Sequence, residues 1–146
     1  MKIYLGSDHA GYDLKETLKM FLFAEGHKIE DVGPHTRDLT DDYPDFVRPV
    51  AQKVAADPGS FGIVAGGSGQ GEAMVANRVH GVRAAVVYSP NEKIVRLSRE
   101  HNNANMLSLG ARFLTDDEVK AIVHLWISTP FTGESRHARR IAKIDQ

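Results

Sequence analysis

Phe61-Gly62-Ile63-Val64-Ala65-Gly66 runs directly into Gly67-Ser68-Gly69-Gln70-Gly71-Glu72 and then into Ala73-Met74-Val75-Ala76. A short branched apolar run that stops at glycine reads as a buried strand, and the segment beyond the glycines reads as a helix start. Strand, glycine loop and helix form the repeating unit of parallel α/β sheets. Runs of the same kind recur at residues 3–6, 28–33, 83–89 and 105–110, so five strands are predicted. Between them, Leu14, Leu18, Phe21 and Leu22, then Val47, Val50 and Val54, then Val119, Ile122, Val123 and Trp126 fall at helical spacing. Ser89-Pro90-Asn91-Glu92 and Thr115-Asp116-Asp117-Glu118 carry the pattern of a capping box and set two helix starts. The expectation is an α/β fold: a three-layer α/β/α sandwich on a mostly parallel five-stranded sheet, with ligands bound beyond the carboxyl ends of the strands.

The chain has 146 residues, enough for one domain spanning 1–146. A basic helix is predicted at about 133–143, where Arg136, Arg139, Arg140 and Lys143 cluster. Eighteen basic residues nearly balance nineteen acidic ones, so no broad field draws nucleic acid or an anionic membrane, and an anion site must be local. No apolar run approaches the roughly 20 residues of a membrane-spanning helix. The first residues lack a basic segment followed by an apolar stretch, so a cytoplasmic location is expected. There is no cysteine, which removes disulfides, thiolate metal sites and thiol nucleophiles. His27, His35, His80 and His124 show no ligand spacing, so neither a metal nor another cofactor is expected.

Two loops at strand ends carry groups suited to chemistry. Gly6-Ser7-Asp8-His9-Ala10-Gly11 brings a carboxylate and an imidazole to the end of the first strand; the plainer role for Asp8 or Ser7 is capping the next helix. In the second loop, Gly67, Gly69 and Gly71 let the backbone approach a ligand while consecutive amides face it. The loop lacks the Lys and Ser/Thr of a P-loop, and Glu72 stands where the dinucleotide fingerprint needs its third glycine. Glu72 would sit in the first helical turn, where an acid is often only a partner for the helix dipole. Beside a nest of amides, however, a carboxylate can take a carbon-bound proton while the amides hold the enolate oxygen. His101, closing the fourth helix, is by itself an ordinary dipole partner. Arg136 and Arg140 are four apart and on one helical face, able to clamp a phosphate or simply to be solvated.

Taken in order, Gly6 to Gly11, Asp42-Tyr43-Pro44, Gly67 to Glu72 with Ala76-Asn77-Arg78, Arg99-Glu100-His101-Asn102-Asn103-Ala104-Asn105, and Arg136-His137-Ala138-Arg139-Arg140 resemble the type B ribose-5-phosphate isomerases and the related galactose- and allose-6-phosphate isomerases. The resemblance covers essentially the whole chain. It implies a Rossmann-like fold, a homodimer or dimer of dimers, and an active site to which both subunits contribute. By position, Glu72 resembles the base for the proton at C2, and Ser68 with the amides of Gly67, Gly69, Gln70 and Gly71 the enediolate cradle. Asp8 resembles the group that manages hydroxyl protons and His101 the one that assists ring opening. His9, Arg112, Arg136 and Arg140 resemble phosphate ligands, and Tyr43 and Asn102 line the sugar site. One branch of the family uses a cysteine base just before the glycine loop; that position is Gly66 here, so the match is to the glutamate branch.

The resemblance implies interconversion of ribose 5-phosphate and ribulose 5-phosphate without metal. A six-carbon aldose phosphate is the rival substrate, and a binding module that uses only the glycine loop and arginines is the non-enzymatic rival. Glu72, Asp8 and His101 together favour the enzyme, because a binding module needs no base facing an oxyanion hole.

Overall fold

The computed structural model describes residues 1–146. Five strands, β1 (Lys2–Ser7), β2 (Lys28–Asp31), β3 (Phe61–Gly66), β4 (Ala84–Val87) and β5 (Met106–Gly110), alternate with helices α1 (Tyr12–Ala24), α2 (Tyr43–Ala56), α3 (Gln70–Ala76), α4 (Glu92–Glu100) and α5 (Asp116–Ser128); α6 (Ser135–Ile141) follows. The sheet order is β2-β1-β3-β5-β4. Every pairing is parallel, with Gly6 beside Val64 and Gly66 beside Gly110.

Both faces of the sheet are covered, as parallel sheets require. On one face Ile3, Leu5, Ile63, Leu107 and Leu109 pack with Leu14, Leu18 and Leu22 of α1 and Val119, Val123 and Trp126 of α5. On the other, Tyr4, Val64 and Met106 pack against Val47, Val50 and Val54 of α2 and Ala76 of α3. Alternate residues of β1 thus serve opposite cores, which is the period-two geometry of a strand. Because β1 leads leftward to β2 and β3 lies to its right, the chain reverses direction between β1 and β3, and a crevice opens beyond their carboxyl ends.

The α/β/α expectation holds, with local corrections. The fourth strand is shorter than 83–89 because the side chain of Asn105 takes over the ladder's role at its start: Oδ1 accepts from the Arg83 amide at 2.7 Å and Nδ2 donates to the Gly81 carbonyl at 2.8 Å. The second strand stops at Asp31, before Gly33 turns the backbone through φ 113°. The cap of α4 is Asn91 instead of Ser89, its Oδ1 accepting from the Ile94 amide at 3.3 Å. The Thr115 capping box is present as read: Glu118 Oε2 accepts from the Thr115 amide at 2.8 Å and Thr115 Oγ1 from the Glu118 amide at 3.3 Å.

Candidate active site

The crevice holds a cleft of about 520 Å³ lined by Asp8, His9, Tyr43, Gly67, Ser68, Gly71, Glu72 and Arg112, a volume ordinary for a small-molecule site. Three strand ends build it. β1 delivers Ser7, Asp8 and His9; β3 delivers the glycine loop; β5 ends at Gly110, from which Ala111 and Arg112 fold back so that their amides donate to the Gly66 and Gly67 carbonyls at 2.8 and 3.1 Å.

Glycines let these parts meet. Gly69 adopts φ 77°, a left-handed conformation that turns the loop into α3, and its carbonyl accepts from Ser108 Oγ at 2.6 Å. The amides of Ser68, Gly69 and Gly71 donate to no acceptor within the chain, whereas the Gln70 amide donates to Ser68 Oγ at 3.3 Å. At Gly66 a Cβ would lie 1.8 Å from Glu72 Oε1, so the carboxylate of Glu72 occupies the volume that any side chain at 66 would need. The Tyr43 ring lies 2.7 Å from where a Cβ of residue 71 would stand, and the Arg112 guanidinium packs more loosely against Gly67, 3.3 Å from the corresponding point.

Glu72 stands in the first turn of α3 and is only 4% exposed. Burial raises its pKa above the usual carboxylate value, and the nearby negative charge of Asp8 adds to the rise; a hydrogen bond from its own backbone amide opposes both. Asp8 is also buried and accepts from the Gly11 amide at 2.9 Å through Oδ1. It therefore ties the loop ahead of α1, whose cap residue is Gly11, while remaining in the cleft wall.

One participant was not legible in the sequence. Asp41, from the β2–α2 connection, places Oδ1 2.6 Å from His9 Nδ1 and accepts from the His9 amide at 3.1 Å. No motif points to a pair 32 residues apart; only the fold brings them together.

His101, Asn102, Arg136 and Arg140 lie elsewhere in the chain, outside the lining of this cleft. Helix α4 runs back against the strand direction, so its C-cap residue His101 arrives at the starting edge of β5, one strand-length or about 16 Å from the glycine loop. There the His101 ring stacks on His137 of α6 with centroids 4.1 Å apart, and the Asn102 carbonyl accepts from Arg83 Nε at 3.1 Å. Arg136 donates from Nε to Glu134 at 2.8 Å, and Arg140 is exposed. Burial lowers the His137 pKa, reinforced by His101 and Arg136. A second cleft at this edge, about 500 Å³, is lined by Arg83 and Arg99, but their guanidinium groups already donate to the main-chain carbonyls of Gly81, Asn102, Asn103, Ala104 and Thr129.

The ribose/galactose isomerase family matches residues 3–144. The chain belongs to this family. Among its relatives, ribose-5-phosphate isomerase B of Mycobacterium tuberculosis is 46% identical over 141 residues, 97% of this chain and 86% of the relative. A ribose-5-phosphate isomerase from Thermotoga maritima superposes with a TM-score of 0.92 at 42% identity, covering 99% of this chain and 97% of that one. Ribose-5-phosphate isomerase B from Mycoplasma genitalium, solved with bound ribulose-5-phosphate, gives 0.91 at 44% identity, covering 98% and 93%. For a ribose/galactose isomerase, the expected Rossmann-like sheet is present, with all strands parallel and the cleft at the switch point. No helix is long and apolar enough to cross a membrane.

Proposed function

We propose that this ribose/galactose isomerase interconverts ribose 5-phosphate and ribulose 5-phosphate through an enediolate, with Glu72 as the base. The observation that carries the reading is a buried carboxylate of raised pKa sharing one cleft with unpartnered loop amides and a second acid. A carbon acid next to a carbonyl is weak, so its base gains from partial desolvation and its enolate oxygen from fixed donors. Glu72 takes the proton from C2 and returns it to C1, while the Ser68, Gly69 and Gly71 amides receive the charge that develops on oxygen. Asp8 moves hydroxyl protons, Tyr43 lines the sugar, and His9 and Arg112 meet the phosphate. Relatives named for ribose 5-phosphate, one holding ribulose-5-phosphate, support the five-carbon substrate.

The reading places the enzyme in the cytoplasm as a homodimer with shared sites. His101 and Asn102, then Arg136 and Arg140, stand too far from Glu72 to serve it in one protomer, and a second copy can supply them for ring opening and phosphate binding.

The test is conversion of ribose 5-phosphate by the purified protein, with and without EDTA, beside allose 6-phosphate, together with Glu72→Gln. Chelator-resistant turnover favouring the pentose and abolished in Glu72→Gln, with substrate binding retained, is expected. Wild-type-like turnover by Glu72→Gln rules out this base, and preference for the hexose rules out the substrate.

A further inference from the structure

Asp41 presents an unusual arrangement for a buried acid. Its side chain is 5% exposed, and a single oxygen, Oδ1, receives both the amide and the Nδ1 of His9 at 3.1 and 2.6 Å. The other, Oδ2, is buried with no hydrogen-bond partner. A desolvated carboxylate with an unpartnered oxygen is costly and calls for an explanation. No lysine or arginine pairs with it; its one ionic partner is His9. Residues 35–40 and Asp42 of this connection are exposed, yet it is fastened to the start of α1 by Tyr12 Oη donating to the His35 carbonyl at 3.1 Å and Arg37 pairing with Asp13 at 3.0 Å. Asp41 is thus the inward end of a connection held in place.

We infer that Asp41 is a positioning residue for the phosphate end of the substrate, acting through His9. This rests on the reading of the cleft given above. An ionised carboxylate only accepts, so the bond at 2.6 Å requires the proton on Nδ1, and the second bond, to the amide of the same residue, fixes the ring relative to its own backbone. Nε2 is left as the one ring nitrogen without a partner, on a side chain that lines the cleft with Arg112. When a phosphoryl oxygen arrives, His9 takes up one proton from solvent and donates from both nitrogens, to Asp41 through Nδ1 and to the ligand through Nε2. Without Asp41 the ring is free to rotate and to change tautomer, and part of the binding free energy goes into ordering it. The acids facing His9 are Asp8 on β1's loop and Asp41 and Asp38 on the connection; of these only Asp41 contacts the ring.

Asp41→Asn, His9→Gln and the double variant test this in the full-length protein with two readouts. The first, nitrogen-15 NMR of the histidine rings without substrate, is independent of turnover: His9 of the wild type shows one tautomer, protonated at Nδ1, and Asp41→Asn gives a mixture. The second is kinetic. Asp41→Asn raises KM for ribose 5-phosphate and the inhibition constant for inorganic phosphate by about 10-fold, the loss of one charge-assisted hydrogen bond's worth of order, with kcat changed less than about 3-fold. In the His9→Gln background the same substitution adds nothing. An unchanged His9 tautomer, or equal losses in both backgrounds, or a fall in kcat with KM intact, overturns the inference. Should the wild type not turn over the pentose, the proposed function fails while the NMR arm still decides the role of Asp41.

Discussion

Replacing Gly66 by alanine separates catalysis from folding more sharply than any change to the acid itself. The added methyl would stand 1.8 Å from Glu72 Oε1 and 2.1 Å from Cδ. Ordinary contact begins at 3.4 Å, so the carboxylate must retreat by roughly 1.6 Å. The obstructing group is the end of a flexible side chain; no backbone need move, and β3 and its core contacts survive. A misplacement of about 1 Å can cost about 100-fold in rate, so kcat should fall by at least about 100-fold. Thermal unfolding should shift by only a few degrees, about the effect of 1 kcal/mol or less for a chain of this size. Stopped-time conversion of ribose 5-phosphate, read beside circular dichroism melting, measures both. Wild-type kcat in Gly66→Ala would refute the claim that the observed seat of the carboxylate is the reactive one. A fall in rate accompanied by unfolding would refute the claim that the glycine serves the acid and not the strand. In this geometry any side chain at 66 and the carboxylate of Glu72 claim one volume.

Because burial and Asp8 both raise the Glu72 pKa, activity should fall with decreasing pH at values above the ordinary carboxylate range, as Glu72, the proposed base, becomes protonated. Asp8→Asn should move that acidic limb to lower pH without bringing it to the ordinary value, since burial is the larger cause; kcat/KM against pH measures it. A carboxyl whose pKa is raised by folding stabilises the native state when protonated and costs stability as pH rises through its folded value. Glu72→Gln should therefore melt higher than the wild type at pH 8, with the difference vanishing near pH 4. Coexpression of Glu72→Gln with Arg136→Ala/Arg140→Ala should restore activity from two inactive parents, to about a quarter of wild-type sites for random dimers; no recovery would place the arginines outside the partner's site. Thr115→Ala should cost about 1 kcal/mol in denaturant unfolding with kcat intact, because it removes half of a capping box remote from the cleft.

Much of this molecule is written locally. Strand, loop and helix at 61–76 are legible because side-chain period and glycine placement act over a few residues, and the Thr115 box because its partners are three apart. Glu72, the glycine loop and Asp8 are visible as candidates, each with a plainer structural role beside it, and only the five ordered motifs together indicate the family. Where local signals conflict with their surroundings the reading slips: Arg83 looks like strand but its amide is taken by Asn105, and Ser89 looks like a cap but Asn91 is the residue placed to accept.

Other features depend on contacts between distant segments. Strand order β2-β1-β3-β5-β4 follows from which apolar faces pack together, and that order puts the cleft between β1 and β3. The direction of α4, forced by returning to start a parallel strand, sends His101 away from Glu72 within the chain. The pairing of Asp41 with His9 and the fit of the Glu72 carboxylate over Gly66 exist only once the sheet has formed. The sequence by itself determined the repeating βα pattern and the chemical groups, since these rest on near-neighbour hydrogen bonding and periodic burial. Which groups meet, and at what distance, was decided by the tertiary structure, because close packing across strands brings together residues whose separation along the chain carries no signal.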